Sequence, residues 1–238
     1  MKHSLFLIAI LLLLGVVAPV SHAQQTSTPD DGDVVNGVYT NRFFGLSVTY
    51  PKDWVVHGEA TNTRLKEIGK GATSSGAMSA ASTEVILKNT YQLLTAFQYP
   101  MGAVVEVNPS FMLIAERVNH APGIVNGRDY LLYVRPMMIK TGVIPVNDEP
   151  SSLLLGGHKF FRQNSRMQVN GMSLEQSIVI TVIKGFAIAF ILSGKDQPSI
   201  DEMFKAAGTL RFAVSPATSP RKPSPKSPPS KSKPRRRN

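Results

Sequence analysis

Two short turn sequences constrain the fold more than any other feature of this chain. Asn170-Gly171 separates residues 160–169 from 172–183, and Lys184-Gly185 separates the apolar, β-branched run 178–183 from the apolar run 186–192. An Asn-Gly pair between such runs is the strongest short-range signal for a β-hairpin, because tight two-residue turns need residues that accept positive φ angles. The stretch therefore predicts three consecutive antiparallel strands, at 160–169, 172–183 and 186–192.

An earlier segment has the alternation of a strand with one face in a core. Leu46, Val48 and Tyr50 alternate with polar residues, and Pro51 follows directly. Proline cannot donate to a sheet ladder, so the strand is expected to end there and the chain to turn toward Trp54. Further strands are predicted near 38–39, 54–56, 91–98 and 112–118.

A helix is expected to follow the three strands. Ser199 is a favourable N-cap, and Glu202 lies three residues further on, at the spacing of a capping box. Gly208 stands where a left-handed C-cap would end the helix. The apolar residues that follow the spacing of one helix face are Ile200, Met203, Phe204 and Ala207.

Two other segments have helix-compatible composition. One covers residues 61–70 and precedes 71–82, a run of small residues that we interpret as a mobile loop. The other covers 128–141, but Pro136 interrupts it, so a helix there is expected to be short or kinked near Arg135. Together the elements predict one α+β domain with about six to eight mostly antiparallel strands and two or three helices.

The first 23 residues have the three parts of a secretory signal peptide. Lys2 and His3 give a basic start, an apolar run of 13 residues follows from Leu5, and Ala23 ends a small-residue cleavage site. A retained membrane anchor is the alternative, but the run is shorter than the ~20 residues that span a bilayer. We therefore expect cleavage before Gln24 and bacterial export, so that the protein is periplasmic or secreted.

Composition excludes several kinds of chemistry from the exported part. The chain has no cysteine, so it forms no disulfide, carries no lipid-modified cysteine and performs no thiolate catalysis. Residues 24–35 are polar and predict a flexible leader, in which Asp30, Asp31 and Asp33 lack the spacing of a calcium-binding loop. The globular domain is expected to span residues 36–212.

Positive charge is concentrated in a C-terminal tail, residues 213–238. Residues 24–212 carry 17 Lys/Arg against 16 Asp/Glu, whereas the tail carries eight Lys/Arg and no acid. Its Pro, Ser and Lys content predicts disorder, and its cations attract polyanions through counterion release. The residues predicted to bind a polyanion are Arg221, Lys222, Lys226, Lys231, Lys233, Arg235, Arg236 and Arg237.

An exported basic tail could bind several kinds of anionic partner. Acidic envelope polymers, lipopolysaccharide phosphates and anionic lipid headgroups are all accessible outside the cytoplasm. The tail's Ser-Pro-x-Lys-like repeats are similar to those of DNA-binding histone tails, but the signal peptide argues against nucleic acid as the native partner. A solubilising tail with no dedicated partner is the alternative.

Three segments of the chain resemble the PsbP-like family, which is related to the extrinsic photosystem II protein PsbP. They are the run from Tyr39 through Phe44-Gly45-Leu46 to Trp54, the turn Leu155-Gly156-Gly157-His158, and the closing segment Met203-Phe204-Lys205 with Leu210 and Phe212. The resemblance covers roughly residues 36–212 and implies an α/β/α sandwich around an antiparallel sheet. It also implies a generally non-enzymatic protein that acts through binding, with an unknown protein or envelope partner.

No motif in the chain predicts a catalytic, cofactor-binding or metal-binding residue. The exported part contains His57, His120 and His158, none within four residues of another, so no local metal-binding pair exists. The chain has no Gly-x-Ser-x-Gly elbow, no His-Glu-x-x-His and no phosphate-binding loop. A Ser-His-Asp triad assembled from distant segments stays open, and His158 after two glycines is the histidine of first interest.

These observations lead to three functional hypotheses. The first is an exported, non-enzymatic accessory or binding protein that acts through its folded domain. The second is a polyanion-binding envelope protein that acts through its basic tail. The third is a hydrolase whose histidines meet Ser and Asp or Glu only in the folded structure.

Overall fold

The computed structural model of the chain describes residues 28–58, 88–169 and 171–213. These residues form twelve strands and two helices. The strands are β1 (Asp33–Val35), β2 (Val38–Asn41), β3 (Leu46–Thr49), β4 (Val55–Val56), β5 (Thr90–Phe97), β6 (Ser110–Arg117), β7 (Ile144–Pro145), β8 (Ser151–Leu155), β9 (His158–Val169), β10 (Met172–Ile183), β11 (Phe186–Gly194) and β12 (Arg211–Phe212). The helices are α1 (Gly127–Lys140) and α2 (Gln197–Ala207). The signal peptide, the expected helix at 61–70, the small-residue loop at 71–82 and the basic residues of the tail lie outside the described residues.

Eight of the strands form one large sheet. Its order is β4-β5-β6-β11-β10-β9-β7, and β8 also pairs with β9 beside β7. The other four strands form a small sheet of order β1-β2-β3-β12. All the pairings are antiparallel. The expected central antiparallel sheet is therefore confirmed, and the small sheet is an addition that the sequence did not separate from it.

Both predicted hairpins are present in the large sheet. Val169 pairs with Met172 and Ile183 pairs with Phe186, so each connection is a tight two-residue turn. In the second turn Lys184 and Gly185 have φ angles of 53° and 76°, as a twisted two-residue turn requires. Local turn chemistry therefore sets the register of the three longest neighbouring strands.

Two cores lie on opposite faces of the large sheet. Successive side chains of β6 point to opposite faces: Met112 and Ile114 pack under α1, whereas Phe111 and Leu113 pack toward α2 and the small sheet. The layers therefore run from α1 through the large sheet to a third layer made of α2 and the small sheet. This arrangement is an α+β sandwich.

Helix α1 begins with a complete capping box. The Asn126 side chain accepts hydrogen bonds from the backbone N–H groups of Arg128 and Asp129, at 2.8 and 3.2 Å. The Asp129 carboxylate in turn accepts one from the backbone N–H of Asn126, at 3.1 Å. Free N–H groups at the helix start are thereby satisfied, which fixes where the helix begins.

Of the two expected alternatives, the short helix is wrong, because α1 continues through Pro136 to Lys140, whereas the kink near Arg135 stays a prediction. A proline inside a helix costs about 3 kcal/mol, whereas each large buried side chain contributes about 1.5–3 kcal/mol. Val134 and Met138, on either side of the proline, are both buried in the core under α1. Burial on both sides of Pro136 therefore outweighs its local cost.

Helix α2 begins and ends differently from the prediction. Asp196, not Ser199, is the N-cap, because its carboxylate accepts hydrogen bonds from the backbone N–H and the hydroxyl of Ser199 at 2.9 and 2.5 Å. Pro198 lies in the first turn, where its missing N–H is harmless. At the other end Gly208 has right-handed helical angles and its N–H donates to the Phe204 carbonyl, so the expected left-handed cap is absent.

Part of the expected flexible leader is ordered. Residues 33–35 form β1, which pairs with β2. The Tyr39 hydroxyl donates to the Asp31 carbonyl at 3.0 Å, and the Asn41 amide donates to the Asp30 carbonyl at 2.8 Å. Residues 30–35 of the expected leader are therefore joined to the small sheet, both by the β1–β2 pairing and by two side chains of β2.

Candidate functional site

The loop between β5 and β6 carries no charged residue from Gln98 to Val105. Its base is closed by the Gln98 N–H, which donates to the Pro109 carbonyl at 3.0 Å. The Asn108 side chain then pairs with the backbone of Tyr99, accepting from its N–H at 3.0 Å and donating to its carbonyl at 2.8 Å. The Asn108 side chain thus continues the β5–β6 hydrogen-bond ladder beyond the strands, and it fixes the base of the loop.

Residues 99–105, which we name the apolar loop, present apolar side chains to solvent. Val104 is 103% exposed, and Tyr99 and Met101 are 40% and 36% exposed. Gly102 makes the turn at the tip, with a φ angle of 91° that other residues rarely adopt. Single exposed apolar residues are ordinary, whereas several in one charge-free loop make that loop a candidate interaction surface.

A buried carboxyl group lies under α1. Glu116 on β6 is 2% exposed, and the Tyr130 hydroxyl donates to its Oε2 atom at 2.5 Å. Burial raises the pKa of Glu116 to about 8, although the hydrogen bond from Tyr130 acts in the opposite direction. Burial, together with the charge of Glu116, raises the pKa of Tyr130 well above its ordinary value. Both groups are enclosed by the core, so we assign the pair to the packing between β6 and α1.

A second polar cluster joins the sheet to α2. The Arg162 Nε atom lies 2.9 Å from Asn164 Oδ1 and 2.7 Å from Ser177 Oγ. The guanidinium group stacks 4.5 Å from the centre of the Phe204 ring. Burial lowers the pKa of Arg162, while Asp201 opposes that effect. Within the described ranges the buried Nη2 atom of Arg162 has no hydrogen-bond partner, and it is too enclosed to meet a ligand from solvent.

The structure places two of the three histidines on distant parts of the large sheet. The His57 ring lies 5.3 Å from Phe97 of β5, whereas the His158 ring lies 4.1 Å from Phe212 beside β9. Four strand positions separate β5 from β9, which corresponds to roughly 19 Å. His120 lies in the connection from β6 to α1, and burial lowers the pKa values of His57 and His120. The topology therefore does not bring His57 and His158 into one site.

The remaining predicted site residues are placed as follows. Trp54 is half-buried and packs against the core under α2 and the small sheet, as expected for a core residue. The tail residues Arg221, Lys222, Lys226, Lys231, Lys233, Arg235, Arg236 and Arg237 lie outside the described residues, so the polyanion site stays a prediction. Within residues 28–58, 88–169 and 171–213, no group of three His, Asp or Glu side chains could hold a metal ion. No helix in this same part of the chain is long and apolar enough to cross a membrane.

Neither the apolar loop nor the buried pair of Glu116 and Tyr130 was predicted from the sequence. A signal for the loop was present, since Pro100 and Gly102 interrupt a charge-free run between two predicted strands. Nothing in the sequence marked the partner of Glu116, because Tyr130 comes from a helix and the two side chains meet only in the folded core.

Comparisons with known proteins give similar folds at low sequence identity. No protein-family model and no curated protein matches the chain. Cyanobacterial PsbP from Synechocystis sp. PCC 6803 is 12% identical with a TM-score of 0.44, and the match covers 82% of this chain and 100% of that protein. LpqN of Mycobacterium tuberculosis, described as involved in cell envelope biogenesis, is 14% identical with a TM-score of 0.39, covering 71% and 83% of the two chains.

A third similar structure is a protein from Bacteroides thetaiotaomicron, which is 15% identical with a TM-score of 0.42. The match covers 71% of this chain, and the chain spans only 46% of that protein. Because the TM-scores of these three matches are below 0.5, the matches give no information about function. The sequence motifs resemble the PsbP-like family, and the structure is similar to that of cyanobacterial PsbP. This similarity concerns the fold alone.

Proposed function

We propose that this chain is an exported, non-enzymatic accessory protein whose folded domain binds a partner through the apolar loop. The observation that carries the proposal is the combination of full exposure at Val104 with a base fixed by Asn108. Exposed apolar area gains free energy when a partner covers it. A loop held at its base also loses less conformational entropy on binding than a free loop does.

The other conspicuous groups have structural explanations. Glu116 is bonded to Tyr130 inside a core, and the rings of His57 and His158 pack against phenylalanine rings. The signal peptide expected at residues 1–23 supports action outside the cytoplasm, with a partner in the envelope or beyond. A binding role in that compartment uses the apolar loop and requires no reaction centre.

The first test uses a photo-crosslinking amino acid at position 104 in cells that make the protein. We expect one discrete crosslinked species from Val104 and none of that size from Val125, which is 71% exposed and lies outside the apolar loop. The substitution Val104→Asp should then weaken binding of the crosslinked partner by about tenfold or more, because a buried carboxylate loses its hydration.

Val125→Asp is the matched control and should leave that affinity unchanged. If positions 104 and 125 give the same crosslinks, or if Val104→Asp binds the partner as tightly as the wild type, the apolar loop is not the binding surface.

Polyanion binding through the tail is the second candidate function. The observation that favours it is the presence of eight Lys/Arg and no acid in residues 213–238. Such a segment binds by releasing counterions, so its affinity should fall steeply with salt.

This candidate is tested by titrating residues 24–238 and 24–212 with polyphosphate across a salt series. The longer form should bind, and its affinity should fall on the order of a thousandfold between 50 and 200 mM salt. A third form, with the eight cations changed to glutamine, keeps the length of the tail and should not bind. Equal binding by all three forms would place polyphosphate affinity in the domain and refute a role for the tail.

A further inference from the structure

One edge of the large sheet is β8, a strand of five uncharged residues that directly follows Pro150. β8 pairs with β9 on one side, from Ser151 opposite Arg162 to Leu155 opposite His158. On its other side, no backbone hydrogen bond from the described part of the chain reaches residues 151–155. An unpaired strand edge is a row of free N–H and C=O groups that can template another strand.

The turn after β8 defines which backbone groups face outward. Gly156 and Gly157 form a two-residue connection, so Leu155 and His158 are its hydrogen-bonded flanking pair. Because hydrogen-bonded and free positions alternate along a strand, Ser151 and Leu153 also bond toward β9. Ser152 and Leu154 therefore direct their N–H and C=O groups away from the sheet.

The composition of β8 leaves this edge open. Its five residues, Ser-Ser-Leu-Leu-Leu, contain no lysine, no acid and no proline. Exposed edges are ordinarily protected by such residues, and β1 and β7, which also lie at sheet edges, carry Asp33 and Pro145. Leu154 is 73% exposed, so the unprotected edge also offers apolar area.

We propose that β8 pairs with β8 of a second copy of this chain in an antiparallel dimer that joins the two large sheets. A strand without charge meets no like-charge repulsion when it pairs with itself. The basic tail is a poor occupant of this edge, because its many prolines lack the N–H group that a ladder needs. This inference does not depend on the proposed function, since it uses neither the apolar loop nor the tail.

One two-fold register of this pairing uses both outward-facing residues of β8 in each copy. A two-fold axis at Leu153 places Ser152 of each copy opposite Leu154 of the other. Both residues face outward, so these two hydrogen-bonded pairs supply four backbone hydrogen bonds. Leu153 then lies opposite Leu153 of the second copy, in a close non-hydrogen-bonded pair. Part of the exposed Leu154 side chain becomes buried on the sheet face that also carries Lys159. The contact is isologous and closes at two copies, so it does not propagate into a fibre.

The test is the association state of residues 24–238 by sedimentation equilibrium at about 10–200 µM, a range in which micromolar dimers are resolved. The wild type is expected to be a dimer. Leu154→Lys should weaken association at least about tenfold, because it introduces a charge on both copies at the shared edge. Ser152→Pro should do the same by removing an outward N–H, while leaving the pairing with β9 intact.

Val125→Lys is the control for a new lysine at an exposed apolar position outside β8, since Val125 is 71% exposed and lies before α1. It should remain a dimer, and far-UV circular dichroism should be unchanged in Leu154→Lys. A monomeric wild type, or a Leu154→Lys variant that associates as tightly as the wild type, overturns the proposal.

Discussion

At pH 9, Glu116→Gln is expected to be more stable than the wild type by about 4 kcal/mol, whereas at pH 5 the two should be nearly equal. Burial raises the pKa of Glu116 from 4.5 to about 8, so the folded state holds this proton more tightly than the unfolded state does. Between those two pKa values the unfolded chain binds fewer protons, and wild-type stability therefore falls as the pH rises from about 5 to 8. Glutamine has no proton to lose, and its carbonyl oxygen still accepts from the Tyr130 hydroxyl.

The measurement is urea unfolding of both proteins at pH 5, 7 and 9. Glu106→Gln serves as the control, because Glu106 is an exposed carboxylate and its removal should leave the wild-type pH dependence in place. Other groups also titrate in this pH range. The difference in free energy of unfolding between wild type and Glu116→Gln at each pH isolates the contribution of Glu116. Parallel pH profiles for these two proteins would mean that Glu116 is not held in a closed, apolar site.

Replacing Phe190 with alanine is expected to lower the free energy of unfolding by about 3–5 kcal/mol. Phe190 is 0% exposed on β11, in the middle of the large sheet, and its ring centre lies 5.6 Å from that of Phe111. The substitution removes the transfer free energy of a whole ring and leaves a cavity, which the rigid sheet can only partly close.

Urea unfolding at one pH measures this loss as a lower transition midpoint with an unchanged slope. Val125→Ala is the control, because truncation of an exposed side chain should change stability by less than about 0.5 kcal/mol. A loss below about 1 kcal/mol for Phe190→Ala would contradict the packing of the core that the small sheet and α2 share.

Elements whose signals are local were predictable from the sequence. The two hairpins depend on Asn-Gly and Lys-Gly at the turns, and both pairings are present. The strand before Pro51 and the apolar face of α2 follow from the spacing of apolar residues, a pattern that can be read within one short stretch of sequence. These features together suffice for the α+β class and for the antiparallel order of β9, β10 and β11.

Elements decided by contacts between distant segments were not predictable. Pro136 argues for a short helix until the burial of Val134 and Met138 is known. The N-cap of α2 is a different case, because Ser199 is a good N-cap in isolation but Asp196, only three residues earlier, takes that role. The division into a large and a small sheet depends on β12 joining β3, and no local pattern encodes that pairing.

The candidate site was less predictable than the fold. The composition of the apolar loop could be seen in the sequence, but the exposure of Val104 and the pairing of Asn108 with Tyr99 are features of the folded loop. The sequence shows that residues 151–155 are uncharged, but only the pairing of β8 with β9 shows that they form an edge strand of the large sheet.

The place of β12 in the small sheet has a consequence for the order of folding. Thr49 and Thr209 are bonded across 160 residues of chain, and Leu46 pairs with Phe212. Loops of such length are slow to close, because their entropic cost precedes any reward from the contacts. During synthesis the small sheet cannot be completed until residue 212 has left the ribosome. The core that the small sheet shares with α2 is therefore among the last parts of the molecule to close.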